Sequence, residues 1–442
     1  MRIALQVPMF WAGARLTGKV RYFPRVPNSP ASSKNRVVIT GMGVISCIGI
    51  GRDAFWRSIR EGRSGIGRVT LFDASDCAAK CAGEVRDWRG ADFFPPHKLK
   101  RFDRYVQFAV ASALLALEDA RLPWSKEQPQ ARTGVSFGTG LGGVAQAEQE
   151  HARFLEKGIR SVNPALAFQI FGGSGHSNIA IECGLRGVGT TNSNSCASGV
   201  IAIGEALRYL RDGWADVMLA GGAEAPICPL TFSAFDRIST MSRWQGEPPA
   251  MACRPFDKDR DGFVMGEGGC TLVLETLEHA QRRGAHIYAE VLGYAMNNDA
   301  FHMTSPLPSG ESVIACMKAA LADADIAPNE VDYINAHASS TQLNDANEAM
   351  CIREVFDTKT PPVSGTKPFT AHPLGATGAM ETAICALALQ DQWLPPTLHH
   401  QMPDCDLDVI PNTGRSAQLR VAMNNAFGFG GINSTLVLRK CE

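Results

Sequence analysis

The sequence predicts an α/β fold made of two halves with a similar order of strands, loops and helices. Apolar runs of strand length alternate with segments of helical spacing after residue 36. Several strand-like runs end in glycine or in small polar residues, and the same order returns in outline beyond Ala289. Strands that alternate with helices are typical of mostly parallel sheets.

The first half is predicted to contain three strands and two helices. They are a strand from Val37 that runs into a glycine turn, helices at residues 53–61 and 105–122, and strands at residues 133–137 and 215–219. The last two strands break into GTGLGG and GGAEAP, which indicate loops rather than further strand.

The second half repeats this order. It is predicted to hold strands at residues 331–335, 363–364 and 420–424 and a helix of small residues at 375–389. The first strand ends at Ala336-His337, the second leads to Lys367, and the last ends in AFGFGGIN. Polar residues at strand ends are typical of the site in an α/β fold. The repeated order suggests an internal duplication.

Residues 1–35 differ in composition from the rest. No Asp or Glu occurs before Asp53, whereas this segment carries several Arg and Lys and closes with a Pro/Ser-rich stretch. Such a leader is typical of an organelle transit peptide, but an unstructured bacterial extension has the same composition, and both remain open. We expect a basic leader or disordered extension at 1–35, an N-terminal half at 36–289 and a C-terminal half at 290–442.

The totals exclude several classes of function. The 442 residues carry a formal net charge of −1, so no global field favours nucleic acid or a membrane surface. The thirteen cysteines are odd in number, scattered and without a CxxC pair. That argues against disulfides and metal sites and for a reducing compartment. We expect a cytoplasmic protein, or a mitochondrial or plastid one if the leader is a transit peptide. No apolar run is long enough to span a bilayer.

The stretch around Cys196 is the first candidate site. Residues 187–204 carry no charge but are rich in Ser, Thr, Asn and Gly. After the cysteine, Val200, Ile203, Leu207 and Leu210 recur at helical spacing. Cys196 is therefore predicted at the N-terminus of a helix, where unpaired N–H groups and the helix dipole favour a thiolate. A buried structural cysteine is the alternative.

Two glycine motifs resemble parts of a dinucleotide-binding site. GTGLGG at residues 138–143 matches GxGxxG after a strand, and Gly41 and Gly43 form an earlier turn. The early turn lacks a third glycine, and the later match has no acidic residue at the expected distance. Both are interpreted as packing turns rather than as a dinucleotide site.

Two histidines stand at predicted strand ends. His337 precedes Ala338-Ser339-Ser340-Thr341, and His372 opens the Gly/Ala-rich helix. A lone histidine is more often structural, but two in such positions favour catalysis. The remaining histidines without this context are taken as structural: His97, His151, His279, His286, His399 and His400.

Five blocks of sequence together resemble a family of condensing enzymes. They are NSNSCASGV, CRPFDKDRDGFVMGEG, YINAHASSTQLND, SGTKPFTAHPLGATGAME and NNAFGFGGIN. In order and spacing, the chain is similar to β-ketoacyl-acyl-carrier-protein synthases, and most similar to the elongating type II enzymes. The resemblance implies the thiolase fold, which is a five-layer αβαβα sandwich of two duplicated halves built as a homodimer.

The resemblance also implies a role for each matching residue. The implied catalytic residues are the nucleophile Cys196, the histidines His337 and His372, and Lys367. The implied supporting acids are Asp345, Glu348 and Glu381. Phe429 falls on a gate residue whose backbone N–H joins that of Cys196 as an oxyanion hole. The implied substrate-binding residues are Thr304, Ser339 and Thr341 for the malonyl group or pantetheine arm, and Leu141, Phe235 and Phe263 near the acyl pocket.

The implied reaction is a decarboxylative Claisen condensation of an acyl thioester on Cys196 with malonyl-acyl carrier protein, as in fatty-acid elongation. It needs no metal and no other cofactor. The implied partners are acyl carrier protein, acyl and malonyl thioesters and a second copy of the chain. A carrier-protein docking face should be basic, and the candidates are Lys98, Lys100, Arg101 and Arg104.

Three departures from the family pattern leave alternatives open. The usual HGTST reads HASST here, the usual GH reads Ala371-His372, and Ile432 stands where many relatives have Thr or His. One methyl group is worth about 1 kcal/mol of fit, so these changes can shift specificity. The alternatives are a specialised ketosynthase of a polyketide or modified-lipid pathway, a non-condensing partner subunit, and a nicotinamide oxidoreductase. Retention of Cys196 and both histidines argues against an inactive subunit.

Overall fold

The computed structural model describes residues 35–441. The basic leader expected at residues 1–35 therefore lies almost entirely outside the described residues. Strands in the described part are β1 Val37–Ser46, β2 Gly49–Ile50, β3 Gly67–Arg68, β4 Cys81–Gly83, β5 Thr133–Gly138, β6 Gly189–Asn192, β7 Val217–Glu224, β8 Met265–Gly266, β9 Gly268–Thr276, β10 Ala289–Asn298, β11 Tyr333–Asn335, β12 Val363–Ser364, β13 Trp393–Leu394, β14 Arg415–Ser416, β15 Val421–Gly428 and β16 Ile432–Arg439.

Helices connect and cover these strands. They are α1 Arg52–Arg60, α2 Pro96–Leu99, α3 Arg104–Asp119, α4 Val144–Lys157, α5 Leu166–Gln169, α6 Ser174–Cys183, α7 Ser198–Arg211, α8 Pro229–Arg237, α9 Leu277–Arg282, α10 Glu311–Ala324, α11 Gln342–Phe356, α12 Lys367–Thr370 and α13 Leu374–Asp391. Within residues 35–441 no helix is both long and apolar enough to cross a bilayer.

The two halves have the same sheet topology. The first sheet runs β6-β5-β7-β9-β1 and the second runs β12-β11-β15-β16-β10. In each, the strands lie in the order third, second, fourth, fifth, first along the chain. The second strand pairs in parallel with the third and the fourth, and the fifth pairs antiparallel with the fourth and the first. A short ladder between β1 and β10 joins the sheets. The duplication suggested by the sequence is confirmed.

The expectation of mostly parallel sheets is wrong, because each half has two parallel and two antiparallel pairs of neighbouring strands. The reason is visible between β15 and β16, which only three residues, Phe429 to Gly431, separate. A connection this short permits only antiparallel neighbours, whereas parallel strands need a long crossover. The domain boundary expected near residue 289 stays a prediction.

Five layers alternate between helices and sheets. Helices α7 and α13 lie between the two sheets and contact strands of both. Helices α3 and α6 cover the outside of the first sheet, and α10 and α11 cover the outside of the second. Residues Leu374 to Leu389 of α13 are buried all round, as expected of a helix inside a core rather than on a surface. The central layer therefore forms the largest apolar cluster.

The predicted elements are present, but several ends differ. The strand predicted at 215–219 continues as β7 to Glu224, and the strand predicted at 420–424 continues as β15 to Gly428. Their glycines remain in the ladder because neighbouring backbone leaves no space for a side chain: a Cβ on Gly221 would lie 1.9 Å from the carbonyl oxygen of Cys270. The helix predicted to reach Leu122 ends at Asp119.

Candidate active site

Cys196 lies at the tip of the first half, between β6 and α7. Residues Ser195–Ala197 form a single 3₁₀ turn that leads into α7. Ser195 has φ 53°, a left-handed conformation that costs a non-glycine residue energy. The Ser198 hydroxyl stabilises the turn by donating to the carbonyl oxygen of Ser195 at 2.7 Å. The prediction from the apolar spacing that Cys196 lies at the N-terminus of a helix is confirmed.

The protonation of Cys196 differs from the expectation. Burial raises the pKa of its thiol to about 11, although the Ser195 hydroxyl, the charge of Lys367 and the Phe429 N–H act to lower it. The helix N-terminus was expected to favour a thiolate, but desolvation of the sulfur outweighs the contacts that lower the pKa. The thiol therefore keeps its proton near neutral pH and needs a base during attack.

His337 and His372 lie side by side, with ring centres 5.4 Å apart. Burial lowers the pKa of both rings well below the ordinary value, and the nearby Lys367 adds to this effect. Both imidazoles are therefore neutral, so each can donate one N–H to a substrate oxygen. The Nδ1 atom of His372 is 2.9 Å from the Thr377 hydroxyl, which directs the other ring nitrogen, Nε2, to the reaction.

Lys367 forms a buried ion pair behind the two rings. Its Nζ atom donates to Glu381 Oε1 at 2.7 Å and also to the carbonyl oxygen of His337. Burial raises the pKa of Glu381 to about 7, while the ammonium of Lys367 acts to lower it. The lysine lies 3.5 Å from Nδ1 of His337, so it acts on that ring through its field.

The other two predicted acids support the backbone rather than the rings. Glu348 accepts the N–H groups of His337 and Ala338 at 2.9 and 2.8 Å. Asp345 accepts the N–H groups of Ser340 and Phe256 and lies 3.6 Å from Arg260. Both carboxyl groups are buried, so these contacts fix the loop that carries His337.

The backbone at Phe429 closes over the nucleophile. The Phe429 N–H lies near the sulfur of Cys196 and acts to lower the pKa of its thiol. A Cβ added to the preceding Gly428 would lie 3.2 Å from the backbone nitrogen of Cys196. The backbone that leads to Phe429 therefore passes close to the backbone of Cys196.

These groups meet in one cavity of about 410 Å³. Cys196 and both histidines line it, together with six of the predicted residues: Thr304, Ser339, Thr341, Phe235, Phe263 and Phe429. The Ser339 and Thr341 hydroxyls are 2.9 Å apart, and Thr341 also caps α11 by accepting the Asn344 N–H. Leu141 does not line the cavity but packs in the apolar cluster that contains Cys196.

A row of aromatic rings connects the Phe429 loop with His372. Phe429 stacks on Phe235, with centres 6.1 Å apart, and Phe235 contacts Phe263 edge to face at 5.8 Å. Phe263 in turn contacts the ring of His372 edge to face at 5.5 Å. Movement of Phe429 would therefore disturb the packing around the His372 ring.

Two family models match the chain. Residues 34–280 match the N-terminal domain of β-ketoacyl synthase, and residues 288–401 match its C-terminal domain. The chain belongs to the β-ketoacyl synthase family. It is 41% identical over 413 residues to 3-oxoacyl-[acyl-carrier-protein] synthase 2 of Synechocystis sp., which covers 92% of this chain and 99% of that relative.

Solved structures agree with this family and with its thiolase fold. A β-ketoacyl synthase from Burkholderia phymatum superimposes with a TM-score of 0.85 at 33% identity, covering 92% of this chain and all of that one. The AntDE:AntF structure is described as a type II PKS acyl-carrier protein in complex with its ketosynthase bound to the hexaketide. It superimposes with a TM-score of 0.86 at 35% identity, covering 93% of this chain and all of that one. The fold implied by the resemblance is confirmed.

The glycine loops of this β-ketoacyl synthase are packing turns. The N–H groups of Gly140 and Leu141 already donate to the buried carboxylate of Glu224, at 2.5 and 3.0 Å, so they are not free for a phosphate. A Cβ on Gly41 or Gly43 would lie 2.5 or 2.1 Å from a carbonyl oxygen of α3. Within residues 35–441 no three metal-binding side chains converge.

Sequence reasoning missed three buried polar partners in the synthase site. They are Glu224, Thr377 and Asn425, which hold the 139–142 loop, the His372 ring and the Glu348 carboxylate respectively. Only Glu224 left a signal, as an acidic residue inside an otherwise apolar strand and its glycines. The other two left no signal: Thr377 is one of many small residues in α13, and Asn425 meets Glu348 of α11 from 77 positions away.

The expected docking residues of the synthase are partly committed to other contacts. Lys98 pairs with Glu182, and Arg104 donates to both oxygens of Glu267. Lys100 and Arg101 are exposed. Of the four candidates, these two keep their charges most available for a partner.

The departures at Ala338 and Ala371 place alanine where the backbone suits glycine. Ala338 has φ 40°, and Ala371 has φ 57° with ψ −156°. Their methyl groups face glycines: a Cβ on Gly365 would lie 2.7 Å from that of Ala338, and one on Gly83 would lie 2.6 Å from that of Ala371. The chain thus holds strained backbone directly beside His337 and His372.

We expect Ala371→Gly to raise the free energy of unfolding by about 1 kcal/mol, because relief of the backbone strain exceeds the loss of one methyl contact. Denaturant titration measures the change. Ala386→Gly, within the regular part of α13, is the control and should lower stability by about 1 kcal/mol or more. A loss of stability in both variants would contradict strain at Ala371.

The neutral histidines also predict a pH effect on stability. His372 has its pKa lowered in the folded chain, so unfolding takes up a proton below the ordinary pKa of about 6.5, and stability falls as pH falls through that value. The slope is about 1.4 kcal/mol per pH unit for one fully linked group. Glu348 and Glu381, with raised pKa values of about 7, act in the opposite sense in parent and variant alike.

His372→Asn should therefore lose less stability than the parent between pH 6.5 and pH 5. Unfolding in denaturant at both pH values measures this difference. The exposed His97→Asn is the matched control and should keep the parent's dependence. If the His372 variant kept it too, the buried ring would not be the linked group.

Proposed function

We propose that the chain is a 3-oxoacyl-[acyl-carrier-protein] synthase of fatty-acid elongation. The observation that carries this proposal is one cavity containing the Cys196 sulfur and two neutral imidazoles, with the Phe429 N–H against the sulfur. The substrates are an acyl thioester and a malonyl thioester, both carried by acyl carrier protein. The similarity to the 3-oxoacyl-[acyl-carrier-protein] synthase 2 of Synechocystis sp. supports this assignment.

Acyl transfer comes first. The sulfur of Cys196 attacks the thioester carbonyl carbon while its proton passes to an imidazole of the cavity. The oxyanion that forms accepts the N–H groups of Cys196 and Phe429. The carbonyl then re-forms, the bond to the carrier thiol breaks, and the proton passes to that thiol. The raised thiol pKa makes this transfer of the proton obligatory.

Condensation follows in the same cavity. Loss of carbon dioxide from the malonyl thioester leaves an electron pair as an enolate, whose oxygen accepts N–H bonds from His337 and His372. The enolate carbon attacks the acyl-enzyme, giving a 3-oxoacyl thioester and freeing the sulfur of Cys196, which takes a proton from solvent. Neutral rings suit this role because they donate bonds without a charge to be desolvated.

A specialised ketosynthase of a polyketide or modified-lipid pathway is the second candidate. It is favoured by the similarity to the AntDE:AntF ketosynthase and by Ala338 and Ala371 beside the histidines. Both candidates run the same reaction, and a series of acyl chain lengths and primers separates them. A non-condensing partner subunit is disfavoured by the intact set of Cys196, His337 and His372.

We propose a homodimer formed at the edge of the first sheet. Strand β6 is the last strand on that side, and an edge strand offers unpaired backbone groups to a second copy. Exposed apolar side chains lie nearby in sequence: Phe154, Leu155, Ile159, Phe168, Ile170, Phe171 and Ile181. Helix α6, which carries Ile181, packs directly against β6. A two-fold pairing would cover both features at once.

The free thiols of Cys47, Cys77 and the other cysteines agree with a cytoplasmic enzyme.

Intact-mass spectrometry tests the proposed chemistry. Incubation with acyl-acyl carrier protein should add one acyl group to the parent chain, and Cys196→Ala should abolish this gain. His337→Ala should keep the acyl group but lower condensation with malonyl-acyl carrier protein about a hundredfold or more, because it removes an enolate donor. A chain that is folded but never acylated would favour the non-condensing subunit.

Sedimentation velocity tests the assembly. The parent should sediment as a dimer, and Ile181→Asp should shift it towards the mass of a single chain because a buried charge is costly. Leu71→Asp, at an exposed leucine in another part of the chain, is the matched control. A parent chain that sediments as a monomer at micromolar concentration would contradict the dimer.

A further inference from the structure

Glu224 is a buried carboxylate at the end of β7 that the proposed chemistry does not use. Its side chain is inaccessible to solvent, yet four groups donate to it. Oε1 accepts the Thr139 hydroxyl at 2.9 Å and the Leu141 N–H at 3.0 Å. Oε2 accepts the N–H groups of Gly140 at 2.5 Å and Gly375 at 3.0 Å. Three backbone N–H groups and one hydroxyl thus converge on one side chain.

These donors come from two segments that border the site. Thr139 to Leu141 follow β5, and Leu141 packs in the apolar cluster that contains Cys196. Gly375 lies in the first turn of α13, three residues after His372 and next to Leu374, which lines the cavity. The carboxylate therefore joins the acyl side of the site to the helix that begins beside the second histidine.

The nucleophile is tied to the same cluster. The Ser198 hydroxyl, two residues after Cys196, lies 3.2 Å from the carbonyl oxygen of Thr139. The hydroxyl of Thr139 also accepts the Gly142 N–H at 2.9 Å. Loss of the Glu224 contacts would free Thr139 and, through it, the turn that carries the sulfur.

The duplicated fold shows a second carboxylate in a matching role. In the second half, Glu348 accepts two successive N–H groups, of His337 and Ala338, in the loop after β11. In the first half, Glu224 accepts those of Gly140 and Leu141 in the loop after β5, the equivalent strand. Each half thus fixes the same loop with one buried glutamate, although the two residues come from different elements.

The charge of Glu224 bears on the sulfur as well. Burial raises the pKa of Glu224, and the N–H donors act against that rise. Its negative charge raises the pKa of Cys196, whereas the charge of Lys367 lowers it. The other titratable residues that line the cavity with the sulfur are His337, His372, Asp261 and Asp299, and Tyr105 is a titratable neighbour of Glu224.

We infer that Glu224 is a positioning residue of the condensing site, which holds the 139–142 loop and the start of α13 in register with Cys196. The inference rests on the proposed function for its effect on turnover. Its geometric part concerns only how the three segments are joined. A glutamine has the same shape but would turn an NH₂ group towards hydrogen-bond donors. Glu224→Gln therefore breaks some of the contacts that align the 139–142 loop with α13, without changing the side-chain volume.

Two measurements on Glu224→Gln test the inference. Its condensation rate with acyl-acyl carrier protein and malonyl-acyl carrier protein should fall about a hundredfold, because a shift of about 1 Å in the reacting groups costs that much. The pH profile for alkylation of Cys196 by iodoacetamide should move about half a unit to lower pH, because a nearby negative charge is lost. A general loss of structure would also expose the sulfur and lower its pKa, so the alkylation profile counts only for a variant that denaturant titration shows to be folded.

Glu290→Gln is the matched control. Glu290 is equally buried but pairs with Arg36 and Arg439 and has no contact with the site. It should lower stability and leave the alkylation profile in place. Thr139→Val keeps the carboxylate and removes one of its four donors, so it should fold even if Glu224→Gln does not. We expect a loss of about tenfold in turnover for Thr139→Val.

Normal turnover in a folded Glu224→Gln or Thr139→Val variant would overturn the inference. The same holds if Glu290→Gln moved the alkylation profile as far as Glu224→Gln did. Alkylation needs no carrier protein, so it also separates two kinds of failure. A parent that is never acylated would refute the proposed function, whereas an unmoved alkylation profile in Glu224→Gln would refute the role of Glu224.

Discussion

The close approach of the two central helices is the constraint on which the active site depends. Helix α7 begins beside Cys196 and α13 beside His372, and glycines allow their first turns to touch. A Cβ on Gly199 would lie 2.8 Å from the backbone nitrogen of Ala379, and one on Gly378 would lie 2.6 Å from Val200. Any side chain at these positions would separate the helices and hence the sulfur from the imidazole.

The same packing explains the protonation states of the site. Helices between two sheets are shielded from water on both faces, so desolvation raises the pKa of the Cys196 thiol and lowers those of both histidines. Burial of the Lys367 ammonium is unfavourable, and its ion pair with Glu381 offsets part of that desolvation. The benefit is catalytic, because hydrogen bonds to developing oxyanions are stronger where water is excluded.

The sequence predicted what depends on local pattern. The apolar spacing after Cys196 indicated a helix, and the small residues around His337 indicated a strand end, because both signals lie within a few positions of the residue concerned. The strand end expected at His372 is wrong, because that residue follows helix α12. The sequence did not predict properties that depend on contacts with residues far away along the chain. The thiol pKa depends on burial by the second half, and β7 extends to Glu224 because Cys270 of the neighbouring strand excludes a side chain from Gly221. The carboxylate of Glu224 bonds residues 83 to 151 positions away.

Duplication supplied two equivalent helix N-termini, and the two halves then acquired different chemistry. The first half carries a thiol on its central helix, and the second carries an imidazole there and another after β11. In both halves a buried glutamate from another element accepts N–H groups of the loop after the second strand. In the second half, Ala338 and Ala371 adopt backbone conformations that suit glycine, and each methyl group faces a glycine. An alanine has fewer backbone conformations than a glycine, and its methyl group here also packs against a neighbouring glycine. Ala338 and Ala371 therefore make the histidine loops stiffer than glycine would.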